Sequence, residues 1–206
     1  PRRVPTYVYC ARSSVGPGSG GWRTGPGRGD GSELSMSLDW LRPHFDKITA
    51  EWWETTILAY RLYPQVVTLP AADVRRATEA LLWGRNNVSV EYLDHEYRTY
   101  PRVIFEEVIR DDKTNRSMAW PERNDCDNYA WRFKGAMDFW YNVDAVGFVL
   151  DKSSWHAYNL IVFADGSAAL FEPQQDRFVA LDEPITVARP AIGTGRYSLT
   201  KGLVLI

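Results

Sequence analysis

Three short strings in this chain carry side chains that can do chemistry: N-D-C-D-N-Y-A at residues 124–130, W-H-A-Y-N at 155–159 and F-E-P-Q at 171–174. They supply a thiol, an imidazole and a carboxylate, in that order. A thiolate beside an imidazole that is itself held by a carboxylate is the logic of covalent acyl transfer. Cys126 would attack, His156 would move the proton and Glu172 would fix the tautomer.

Local structure must bring the three together. After Cys126 the apolar residues Tyr129, Ala130, Phe133, Ala136, Met137 and Trp140 recur every three or four positions, which predicts a helix with Cys126 in its first turn. Unpaired N–H groups and the positive end of the helix dipole gather there, and both favour a thiolate. Residues 155–163 and 167–171 read as strands joined at Ala164, Asp165 and Gly166. A two-residue turn would put His156 and Glu172 on opposite faces. A three-residue loop with Gly166 in the left-handed conformation makes facing residues sum to 330 instead, so Glu172 opposes Tyr158. Glu172 is then the diagonal neighbour of His156 on one face, at roughly 7–8 Å.

Together these strings resemble the papain-like cysteine peptidases. More narrowly, D-C-D-N-Y-A with W-H-A-Y-N and F-E-P-Q is similar to the calcium-dependent papain-like domain at the C-terminus of mushroom agglutinins of the Marasmius type, and to phage proteins sharing that domain. The resemblance spans roughly residues 60–206. It implies a papain-like fold, Cys126 as nucleophile, His156 as base and Glu172 as third member, with a peptide or protein as substrate. Two features depart from the pattern. No Gln stands a turn before Cys126, where Met118, Ala119 and Trp120 lie instead, and the sugar-binding repeat domain of the agglutinins is absent, so lectin activity is not carried over. The Cys126 N–H is a candidate oxyanion donor, with Asn124 or Gln65 as side-chain helpers.

Asp125 and Asp127 flank the thiol and would oppose its ionisation. A bound Ca²⁺, a hard cation that takes carboxylate oxygens, would reverse that effect, in keeping with the calcium dependence the resemblance implies. The alternative is that Asp125 caps the helix and Asp127 complements its dipole.

The rest of the chain sets the frame. A length of 206 residues allows one ordinary domain plus an extension. A net charge of −2 offers no general attraction to nucleic acid, and no apolar run reaches the ~18–20 residues of a membrane span. No secretory signal is visible near the start. Cys10 and Cys126 lie in different segments, which argues against a disulfide framework.

Residues 1–32 form a Gly/Arg-rich arm that cannot bury a core by itself. Its Arg28-Gly29-Asp30 matches the integrin-binding tripeptide, as such a tract does by chance. Residues 33–62 read as a helical linker segment whose stripe of Leu38, Leu41, Phe45, Ile48, Trp52, Trp53, Ile57 and Leu58 is core or a docking face, with Pro43 kinking the run or opening a helix. Residues 1–62 are therefore a possible site for a protein assembly partner.

Residues 63–206 form the main domain. Pro70 and Pro101 each open a helix, residues 86–93 are extended, and His95 between Asp94 and Glu96 reads as surface because three consecutive extended residues alternate faces. Strand-like pieces follow at 145–150, in the hairpin, and at 178–181, 185–188 and 202–206. Helices first and a mostly antiparallel sheet afterwards is an α+β arrangement. The expected function is a cysteine hydrolase cleaving an amide, most readily a peptide bond, through an acyl-thioester on Cys126. The rivals are a cell-wall amidase or endopeptidase, transglutaminase-like chemistry, and a phage or virion-associated structural protein that keeps the fold.

Overall fold

The computed structural model describes residues 42–116, 125–187 and 195–206, with side chains from residue 50 onward. The Gly/Arg-rich arm, Cys10, the Arg28-Gly29-Asp30 tripeptide, Leu38, Leu41, Asn124 and residues 118–120 lie outside the described residues. Four helices and eight strands are described: α1 (Arg42–Leu62), β1 (Val67–Pro70), α2 (Ala71–Leu81), β2 (Val88–Glu91), β3 (Glu96–Thr99), α3 (Arg102–Asp111), α4 (Cys126–Tyr141), β4 (Val146–Asp151), β5 (His156–Val162), β6 (Ala168–Glu172), β7 (Arg177–Val179) and β8 (Gly202–Leu205).

The main sheet has six strands in the order β2-β8-β4-β5-β6-β7. Its pairings are antiparallel except for β2 with β8. β1 and β3 make a separate antiparallel pair. The α+β arrangement with a mostly antiparallel sheet is thus as the patterning requires.

The hairpin of β5 and β6 has the register with facing residues summing to 330: Asn159 opposes Phe171 and Leu160 opposes Leu170. Gly166 takes φ +76, and its N–H donates to the Phe163 carbonyl while the Phe163 N–H donates to Ser167. Because side chains alternate along a strand, β5 feeds two cores. Tyr158, Leu160 and Val162 join Val74 and Ala77 of α2 on one face. Ile161 meets Phe133, Met137 and Tyr141 of α4 and Phe105 of α3 on the other. The sheet is therefore covered on both sides, which is why β5 is buried at all seven residues.

Pro70 and Pro101 are the residues from which α2 and α3 start, and Gly84 follows α2 at φ +81. Pro43 stands in the first turn of α1, a position where its missing N–H is harmless. Two expectations are corrected, and two strands are added. The stripe on α1 is core only in part: Leu62 is buried and Leu58 packs beside it, but Trp52, Trp53 and Ile57 are exposed. Of the strand expected at 185–188, residues 185–187 are not in a strand, the neighbouring Pro184 makes an isolated bridge with Arg196, and Ala188 lies outside the described residues. β1 and β3 are strands the patterning missed, each only four residues long.

Candidate functional site

The site starts with α4. Asp125 is its N-cap in a reciprocal capping box: the Asp125 carboxylate accepts from the Asn128 backbone N–H, and Asn128 Oδ1 accepts from the Asp125 N–H at 3.2 Å. This fixes Cys126 as the first helical residue, half-buried against Ala130, Phe148 and Ala157. Its N–H belongs to the opening turn, where the helix leaves donors without intrahelical acceptors. At the other end Asn142 stops the helix in the left-handed conformation at φ 56.

His156 opens β5 and is fully buried, as is Glu172 at the end of β6. His156 Nε2 and Glu172 Oε2 are 2.6 Å apart. Two further donors hold that carboxylate: the Tyr197 hydroxyl at 2.9 Å to Oε2, and the Gln174 backbone N–H at 3.1 Å to Oε1. Burial and the charge of Glu172 push the Tyr197 phenol far above its ordinary pKa, so it stays a donor. The imidazole forms a triangle of rings with Tyr158 and Tyr197, its centroid 5.8 and 5.7 Å from theirs.

With Nε2 on Glu172, Nδ1 is the nitrogen left for the thiol. It is buried and has no partner at ordinary hydrogen-bond geometry. Burial is the strongest influence on His156 and pulls its pKa down. Hydrogen bonding and charge from Cys126 and Glu172 oppose it and win, so the pKa lies above the ordinary histidine value. Cys126 and His156 are therefore neighbours coupled by hydrogen bonding and charge.

The structure thus brings together Cys126, His156 and Glu172. Asp127 is exposed in the first turn of α4, and Gln65 is exposed in the 3-10 turn after α1. His95 is exposed, as expected of surface. Among the described residues no group of three or more His, Cys, Asp or Glu is arranged to hold a metal ion. The Asp125 carboxylate is engaged in the helix cap.

Two residues of the site were not anticipated. Tyr197 stands 25 positions from Glu172, and nothing local marks it. Asn159 is fully buried in β5, and its Nδ2 donates to the carbonyls of Ala130 on α4 at 3.0 Å and Gly147 on β4 at 3.1 Å. It joins the helix that carries the thiol to the strand that carries the base. A signal existed, since an amide inside an apolar strand must find partners. Asn159→Ala leaves two buried carbonyls with one donor fewer and is expected to lose about 1–3 kcal/mol in denaturant titration.

Described by architecture, the molecule is a mixed α+β domain with a half-buried thiol beside a buried imidazole–carboxylate pair, and a solved structure with a similar fold exists. That structure, described as a PSL1a–E64 complex, PSL1a being Polyporus squamosus lectin, aligns with a TM-score of 0.51 at 22% identity over 68% of this chain and 51% of that one. Another, Polyporus squamosus lectin bound to the human-type influenza-binding epitope Neu5Acα2-6Galβ1-4GlcNAc, aligns with a TM-score of 0.45 at 25% identity over 54% of this chain and 45% of that one. This chain spans about half the length of each. No family model matches it, and no curated protein does.

These neighbours correct the resemblance. The structures found are lectins, not papain-like peptidases, and the first of them supports a shared fold alone. The expectation of a cysteine hydrolase cleaving an amide, with a peptide substrate, is overturned with it, as is the phage or virion association. The physical reason is that three side chains in a row define a reactive group and leave open what it acts on. No described helix is long and apolar enough to cross a membrane.

Proposed function

We propose that Cys126, His156 and Glu172 form an activated-thiol site that captures electrophilic ligands covalently. The observation that carries this reading is the buried 2.6 Å pair of His156 and Glu172, with its second ring nitrogen left for a half-buried cysteine at a helix N-terminus. The Glu172 carboxylate holds the imidazole in one orientation, and the helix start and the imidazolium both stabilise a thiolate. The neighbour complexed with E64 supplies a probe. Incubated with E64, the protein is expected to gain one adduct by intact mass, located at Cys126 by peptide mapping and absent from Cys126→Ser. Adducts that form equally well in Cys126→Ser would overturn the reading.

Calcium is tested in the same assay. Because the Asp125 carboxylate already accepts from the Asn128 N–H, EDTA is expected to leave labelling and melting temperature unchanged. A fall in either would assign Ca²⁺ to Asp125 and Asp127.

A second reading is that the chain binds a carbohydrate, as the lectin neighbours are named for doing. What favours it here is a groove beside α4 built around the exposed ring of Trp131.

A further inference from the structure

The groove has a volume of about 640 Å³ and lies between α4 and the β3 side of the molecule. Trp131 forms part of its wall. The indole stacks on Phe148 with centroids 4.3 Å apart and planes 9° from parallel, and 46% of the residue is exposed. One face of the ring is thus pinned and the other is presented. Phe148 also packs beside Cys126, so the groove adjoins the thiol's surroundings.

The charged groups around this ring are unequal. Arg98 donates to Asp144 at 2.6 and 2.9 Å and to Asn142 Oδ1. Lys134 Nζ donates to the Val146 carbonyl at 2.6 Å and is largely withdrawn from solvent. The basic side chains of the groove are therefore committed within the protein. Asp94, Glu96 and Asp138 are exposed acceptors, and the nearest cation to Asp138 is Arg98 at 3.9 Å.

We propose that this groove is a saccharide site with the Trp131 ring as its platform, and that it takes neutral or amino sugars rather than carboxylated ones. A pyranose ring has a flat C–H face and a rim of hydroxyl donors. The open indole face covers the first with apolar area, and the carboxylates accept from the second. The groove is within the size range of small-molecule sites and much larger than a single ammonium group would fill. Sugars bearing a carboxylate meet uncompensated negative charge there and are repelled. This proposal rests on the carbohydrate reading and narrows it to one site and one charge class. It does not depend on the thiol.

The test is an array of neutral, N-acetylated, amino and sialylated glycans probed with the whole chain, its Trp131→Ala variant and its Asp138→Asn variant, each checked for an unchanged melting curve. Wild-type binding to neutral or amino glycans, weakened tenfold or more by Trp131→Ala, is the expected result, with Asp138→Asn narrowing the gap to sialylated glycans. Retention of no glycan would overturn the carbohydrate reading and this site with it. Binding that Trp131→Ala leaves intact would overturn the site alone, and equal binding of sialylated glycans would overturn its charge preference.

Discussion

Glu172→Ala is expected to destabilise the protein by about 3–5 kcal/mol, the loss typical of removing one partner from a buried ionic pair. The carboxylate is fully buried and accepts from three groups: His156 Nε2 at 2.6 Å, the Tyr197 hydroxyl at 2.9 Å and the Gln174 N–H at 3.1 Å. Alanine would leave all three donors in an apolar surrounding with no acceptor in place. Each buried donor so orphaned loses its share of desolvation. Glu172→Gln keeps one accepting oxygen and should fall between the wild type and the alanine variant. Denaturant titration of the three proteins checks the order. A Glu172→Ala midpoint equal to that of the wild type would mean that the carboxylate does not organise the interior of the site.

The other large effect is on the rate at which Cys126 is alkylated. His156→Ala is expected to slow iodoacetamide labelling at pH 6 by tenfold or more, because the imidazolium that holds the thiolate is gone. An isolated thiol with a pKa near 8.5 is almost wholly protonated there. The wild type should label well below that value, with Cys10 removed or counted separately. The upper side of the profile follows from His156, whose folded pKa is raised. A group raised on folding adds stability that is fully present below its unfolded value, about 6.5, and lost as pH rises through the folded value. Stability should therefore decline over a window that begins near pH 6.5 and extends upward, and His156→Ala should flatten that decline. Labelling that follows an ordinary thiol in both proteins would remove the thiolate–imidazole pair.

Much of this architecture is legible in the residues, and the reasons are local. The face of α4 is written in the spacing of Tyr129, Phe133 and Met137, all buried. The hairpin register follows from Gly166, whose positive φ lengthens the loop to three residues. What was not legible depends on distance in the chain. Tyr197 reaches Glu172 from a segment with no periodic pattern, and β1 finds β3 across an intervening helix. Trp52 and Trp53 look like core by composition but lie on a face of α1 that the described residues leave exposed, although Trp52 touches Trp140 edge-on at 6.0 Å. Periodicity shows that a helix has an apolar side; it does not show whether the surrounding layers reach all of it. The comparison with lectin structures marks a further boundary. The strings around Cys126, His156 and Glu172 encode the meeting of a thiol, an imidazole and a carboxylate, and they do not specify a ligand.

The loop between β5 and β6 has a consequence for how this molecule can change over generations. His156 and Glu172 share a face only because Asn159 opposes Phe171, and alternation makes that sharing a matter of parity. A slip of the pairing by one residue would turn the acid to the far side of the sheet while every site residue remained in the gene. Because β5 is buried at every position, such a slip would also turn its core side chains out of their places, so the packing that holds the strands guards the site as well.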